Sequence, residues 1–276
     1  MKNLSNSYFF FSAKTRLKYL YDKFNPLINF MWNNRKRRKR ILASHSNLFN
    51  DLKTKGYTVI NNYITHEECK KAIVDLKQAF EIYPEFVHQN DDKRIFGVEQ
   101  TLPTARKLAE DLNLLEIGEL VNQEKTYCAF TLGNWLKNGN NGSSGGGWHR
   151  DSFYKQFKAL LYLTNVTQEN GPLQVLPGSH HLNTVLSGIK KVGLNYMQDR
   201  ISDNEVSRLE KILSISRETI TSNEGTLVLF NSSMIHRGSP IISGERFALT
   251  NYYMPISRDL RDIRKQFEPV LVAADV

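Results

Sequence analysis

FKALLYLTNVTQENGPLQVLPGSH, residues 157–180, holds two short β-rich runs, 157–166 and 174–176, parted by one turn and closed by a second, Pro177-Gly178-Ser179. The same rhythm continues on both sides. Further candidate strands fall at 127–135, 147–151, 226–230, 233–237 and 247–253. Runs this short, parted by turns rather than by crossover helices, predict a sandwich or jelly roll instead of βαβ units. Only 183–216 breaks the rhythm. With 203–213 reading as a helix, it is expected to be an insertion between strands.

Ahead of this region the pattern is helical. A strand, Tyr57-Thr58-Val59-Ile60, follows Gly56. Thr65, with Glu68 three residues later, forms a capping box, and the helix it opens carries Cys69, Ala72, Ile73, Leu76 and Phe80 on one stripe. Shorter helices are expected at 103–112 and 115–122. The stretch NGNNGSSGGG, 138–147, reads either as a lid or as an inert loop, and it lacks the Lys-Ser/Thr ending of a phosphate-binding loop.

The net charge of +9 is unevenly placed. Residues 1–42 carry eleven basic groups, six of them in the run RKRRKR at 35–40, against the single acid Asp22, so the rest of the chain is close to neutral. Residues 1–45 therefore read as a basic, partly helical extension, and 46–276 as the folded domain. Residues 13–40 fit peripheral contact with an anionic membrane surface or a helix packed on the domain, and no nucleic-acid partner is expected. No apolar run reaches the ~18 residues of a spanning helix, and two distant cysteines, Cys69 and Cys128, fit a reducing, cytoplasmic setting.

The candidate chemistry centres on His149-Arg150-Asp151. Side chains two apart on a strand share a face, so His149 and Asp151 can converge while Arg150 turns away. An imidazole and a carboxylate so placed are two legs of a two-His-one-carboxylate metal site. His236, ending the apolar run 227–236, is compatible with the third leg, although a lone histidine there also suits a structural role. Arg246 lies ten residues later. A hairpin is expected to set its strand beside that of His236 and turn the guanidinium toward the metal, with Thr250 on the same face. A buried guanidinium needs a carboxylate: either that of 2-oxoglutarate, gripped bidentately, or a neighbouring acid such as Glu245.

With these residues in view, the sequence resembles the phytanoyl-CoA dioxygenase family of iron(II)- and 2-oxoglutarate-dependent oxygenases. The resemblance rests on Gly56–Ile60 with its capped helix, Trp148-His149-Arg150-Asp151, the stretch from Asn170 to His180, the run from Gly225 to Phe230, and His236 followed by Arg246. It implies a mainly β fold with flanking α-helices, a cupin-like double-stranded β-helix (jelly roll). It further implies Fe(2+) held by His149, Asp151 and His236, and 2-oxoglutarate gripped by Arg246. The implied reaction consumes O2 and oxidises an unactivated C–H bond of a small molecule while releasing succinate and CO2. Hydroxylation is the usual outcome, and the retained Asp151 disfavours halogenation. The family's Pro-Asn after the distal histidine stands here as Pro240-Ile241. Arg94, Phe96, Glu99, Tyr154 and the 183–216 insertion are candidates to face a substrate, although Arg94 and Glu99 read more readily as surface charges. The rival expectations are a non-catalytic β-helix protein binding a small acid or a partner, and a zinc hydrolase using the same ligands.

Overall fold

Two central strands are buried along their whole length, so both their faces are covered. In the computed structural model, which describes residues 35–89, 92–137, 147–195 and 197–272, these are β5 (Phe157–Tyr162) and β8 (Leu227–Asn231), buried at every position. They belong to a seven-stranded antiparallel sheet with β1 (Tyr57–Ile60), β2 (Val87–Gln89), β3 (Lys93–Phe96), β4 (Thr126–Lys137) and β10 (Glu245–Pro255), ordered β1-β8-β5-β10-β4-β3-β2. A smaller sheet, β7-β6-β9, comprises β6 (Leu173–Val175), β7 (Glu218–Ile220) and β9 (His236–Gly238).

The outer face of the large sheet, with Phe157, Ala159, Leu161, Leu229, Phe247 and Leu249, packs on helices. These are α3 (His66–Ile82), α4 (Pro103–Ala109) and α5 (Leu112–Asn122). The inner face, with Leu160, Tyr162, Val228, Phe230 and Ala248, meets Leu173, Val175 and Ile220 of the small sheet. The result is the jelly roll with flanking helices that the sequence predicts. The capping box forms as expected: Thr65 Oγ1 accepts from the Glu68 amide and the Glu68 carboxylate from the Thr65 amide.

Several expectations need correction. Residues 147–151 do not form a strand. Only the His149 backbone pairs on both sides, with His236 and with Arg200, while the Arg150 amide donates to Asp199 O. After α3, β2 and β3 form an unanticipated hairpin that extends the large sheet. The expected hairpin joining the His236 and Arg246 strands is absent. β9 pairs with β6, whereas β10 lies between β5 and β4 in the other sheet. The turn residues 239–244 carry the chain across the sandwich, tied by the bridge between Asn170 and Ile241.

At the N-terminal side, α1 (Arg35–Ser44) and α2 (Ser46–Thr54) precede β1. Ile41 is fully buried, and Arg40 donates to Glu116 at 2.8 Å. The aromatic part of the proposed membrane-contacting segment, up to residue 34, and the glycine-rich stretch 138–146 lie outside the described residues.

Candidate active site

The two histidines face each other because their backbones form one antiparallel pair. His149 N donates to His236 O and His236 N to His149 O, each at 2.9 Å. Directly opposed residues of such a pair carry their side chains on the same face. Their ring centres lie 4.4 Å apart. Asp151, two residues on, is fixed by its amide, which donates to Ser232 O at 3.0 Å. One ligand atom from each of His149, Asp151 and His236 falls within 4.8 Å of the others.

The donor set fits a divalent metal. A carbonyl oxygen can only accept, so His149 Nδ1 must donate to Gly147 O and His236 Nδ1 to Met234 O, both at 2.8 Å. That leaves each Nε2 with its lone pair free, and both point at the carboxylate: His149 Nε2 is 3.5 Å from Asp151 Oδ1 and His236 Nε2 is 3.9 Å from Oδ2. Burial, with His149 beside it, pulls the His236 pKa down to about 3, so the ring stays neutral. Burial alone would raise Asp151, but the Lys158 ammonium and the two imidazoles hold it well below the usual carboxylate range.

Lys158 and Tyr252, which the sequence reading passed over, complete this cluster. Lys158 Nζ lies 2.6 Å from Asp151 Oδ2 and 3.8 Å from the Tyr252 ring centre. The available signal was a lone cation in the apolar run FKALLY, seven residues after Asp151.

The PGSH turn supports the second histidine. Ser179 Oγ, fully buried, accepts from the Ile235 amide at 2.7 Å, and the Leu176 amide donates to Ile235 O at 2.9 Å. Ile235 is thereby pinned on both sides next to His236. His180 is largely buried, with a ring nitrogen 3.2 Å from Lys53 O. Its neighbour His181 is exposed.

The insertion braces the first histidine from behind. Val206 and Leu209 of α6 (Asp203–Leu213) bury Trp148 together with Leu176 and Ile235. Asp203 accepts from Trp148 Nε1 at 3.1 Å and from Arg237 at 3.0 Å, and the Arg237 guanidinium lies 4.5 Å from the Trp148 ring centre. Arg150 turns away from the imidazoles and donates to Ser233 O.

Arg246 enters from the large sheet, buried at 4% exposure. Its partners are neutral: it donates to Gly171 O and, at 3.0 Å, to Asn134 Oδ1. Its Nε has no hydrogen-bond partner among the described residues. The expected alternative, a pair with Glu245, does not form; Glu245 accepts from Trp135 Nε1 at 2.9 Å instead. Gly171 must be glycine: its φ is +77°, and a Cβ would lie 2.7 Å from Leu136 Cδ2. A buried guanidinium with an unpartnered N–H fits an incoming carboxylate, so the residues present suit 2-oxoglutarate. Thr250, four residues along the same face of β10, is also buried.

Of the candidate substrate-facing residues, Arg94 is not a surface charge, since it pairs with Asp92, whose side chain is fully buried. Glu99 caps the Thr131 amide at 2.7 Å. Phe96 is packed among Phe130, Tyr252 and Phe267, and Tyr154 is exposed.

A model of the phytanoyl-CoA dioxygenase family (PhyH) matches residues 52–248. The chain belongs to that family. Its members are iron(II)- and 2-oxoglutarate-dependent oxygenases, and this member keeps the His-x-Asp and distal-His set. It is 31% identical over 115 residues to an L-proline trans-4-hydroxylase of Streptomyces griseoviridis; the match takes in 36% of this chain and 41% of the relative's length. Among solved structures, EctD from S. alaskensis superposes with a TM-score of 0.62 at 17% identity, covering 77% of each chain. The epimerase SnoN from nogalamycin biosynthesis, solved with Fe3+ and alpha ketoglutarate, gives 0.61 at 16% identity, covering 85% of this chain and 93% of its own. At these identities the structures speak for the fold alone.

Proposed function

We propose that this family member is an active iron(II)- and 2-oxoglutarate-dependent dioxygenase that hydroxylates an unactivated C–H bond of a small-molecule, sugar or lipid-linked substrate. His149, Asp151 and His236 are the metal ligands, and Arg246, with Thr250, binds the far carboxylate of 2-oxoglutarate. The observation carrying this is the buried Nε of Arg246, which has no hydrogen-bond partner among the described residues. A protein that only bound a partner would have no use for both a three-donor metal cluster and an unpaired buried guanidinium. The hydroxylase relative favours hydroxylation over other oxidative outcomes.

Bound iron supplies the redox chemistry that couples cosubstrate breakdown to C–H oxidation. The protein's own residues do the placing. The carbonyls of Gly147 and Met234 fix the imidazole tautomers. The walls from Leu160, Val228 and Phe230 exclude water between the sheets. Arg246 would hold the far carboxylate of the cosubstrate.

The decisive experiment is conversion of 2-oxoglutarate to succinate by anaerobically iron-loaded protein exposed to O2. A metabolite screen for the gain of one oxygen atom would follow. No succinate above the metal-free control, with or without candidate substrates, would favour the binding-protein alternative. Turnover that continues without O2 would favour zinc hydrolysis.

We further propose that 46–276 is the oxygenase domain, and that the basic segment 13–40 brings it to anionic membrane surfaces. Among the described residues no helix is long and apolar enough to cross a membrane. Co-sedimentation with phosphatidylserine vesicles, lost in high salt, tests the surface contact; indifference to vesicles would end it.

A further inference from the structure

Lys158 is the one charged residue in β5. Its side chain is 6% exposed, less than that of the carboxylate it meets. Burying an ammonium costs several kcal/mol even when it is paired, and an apolar side chain of similar size would fill the same place at no such cost. Packing therefore does not explain this lysine. Nζ meets Asp151 at one oxygen: it takes Oδ2 at 2.6 Å, nearer than the 3.9 Å of His236 Nε2 from that oxygen, while Oδ1 is approached by His149 Nε2 at 3.5 Å. The Tyr252 ring, 3.8 Å from Nζ, closes its other side. Tyr252 is the register partner of Lys158 in the sheet, so the arrangement is set by backbone pairing rather than by a mobile loop.

We propose that Lys158 is a positioning residue that makes Asp151 a one-oxygen metal ligand, by holding Oδ2 and leaving Oδ1 to the metal. The proposal rests on Asp151 being a ligand, as argued above. Its importance lies in the coordination positions left open. Of about six positions, the two imidazoles and a single carboxylate oxygen take about half. A chelating carboxylate would take one more and leave too few for a bidentate cosubstrate and a further reactant together. The lysine also cancels the charge of Asp151, so the protein's part of the site is neutral and a bound dication keeps its full attraction for the dianionic cosubstrate.

The test counts exchangeable water on Mn(II)-loaded protein by water-proton relaxation. The wild type is expected to hold about three such waters. K158M should hold about one fewer, because the released carboxylate chelates, and K158R should restore the wild-type count. Loading supplies the charge that Asp151 loses in K158M, so the variant is measured with its carboxylate compensated. An unchanged count in folded K158M overturns the proposal. A second measurement needs no variant: in wild-type protein loaded with Zn(II), the Lys158 Nζ protons should exchange slowly with solvent, as expected of an ammonium still bound to Oδ2. Their release on loading overturns the proposal equally. D151A that binds Mn(II) as tightly as wild type would instead refute the ligand assignment itself, whatever the lysine does.

Discussion

His180 gives the protein a titratable weak point away from the metal. Burial, reinforced by His181 beside it, pulls its pKa from an ordinary 6.5 down to about 4. Among the described residues the buried Nδ1 has no partner, so a proton there would find no acceptor among them. In the unfolded chain the ring takes up a proton near pH 6.5, whereas in the folded protein it does so only near 4. Between those values the unfolded state binds more protons, so stability falls as the pH falls through that window and is fully present above it. One pKa unit corresponds to about 1.4 kcal/mol, and a separation of about 2.5 units gives roughly 3 kcal/mol at most. The perturbation is His180→Gln, and the assay is urea unfolding of metal-free protein at intervals from pH 7.5 to 4. His236 titrates abnormally too, but it is common to both proteins. The difference between the two stability curves therefore isolates His180, and it should shrink on acidification by about 2–3 kcal/mol. Parallel curves would refute the reasoning.

Three further outcomes follow from contacts at the site. Asp151→Ala should abolish divalent-metal binding by calorimetry and lower the thermal midpoint of the metal-free protein by about 10 °C, because Lys158 is left buried and unpaired at a cost of about 3–5 kcal/mol. Arg246→Met should raise the 2-oxoglutarate concentration needed for half-maximal succinate formation by about tenfold or more, through loss of charge-assisted hydrogen bonds, with Mn(II) affinity unchanged; an unchanged requirement would remove Arg246 from the cosubstrate pocket. Ser179→Ala should cost about 1–3 kcal/mol in urea unfolding, since the buried Ile235 amide loses its acceptor.

Local features were legible in the sequence, and partnerships across the sandwich were not. The capping box at Thr65 and Glu68 and the helix Asp203–Leu213 depend on residues within one turn of each other, and both form as read. His149 and Asp151 also converge, but through the bridge of His149 to His236 and the Asp151 amide bond to Ser232 O rather than through the strand expected at 147–151. The lateral neighbour of β10 could not be read this way. A ten-residue separation between His236 and Arg246 suits a hairpin, yet both faces of β10 need apolar cover, and only a central place between β4 and β5 supplies it. Lys158 escaped notice for a related reason. Its partner Asp151 is close in sequence, but the face on which they meet is decided by register with Tyr252 and Phe230, both more than seventy residues downstream.

That misplaced hairpin changes how the site is held. Had Arg246 stood beside His236, metal ligands and cosubstrate grip would share one sheet and a fixed backbone spacing. Instead the two histidines belong to the small sheet and its bridge, while Arg246, Thr250 and Lys158 belong to the large one. The distance between the grip and the metal is therefore set by the packing of Leu160, Tyr162, Val228 and Phe230 against Leu173 and Val175. The links that cross that gap directly include Lys158 to Asp151, Arg246 to Gly171 O in the loop leading to β6, and the Tyr162 hydroxyl, which accepts from the Leu173 amide and donates to Ile220 O. The segment 170–180 then ties both ends together, since its first residues accept from Arg246 and its last serine holds Ile235 beside His236. This explains why that stretch carries so much of the family resemblance while contributing no metal ligand: it sets the spacing between the two halves of the site.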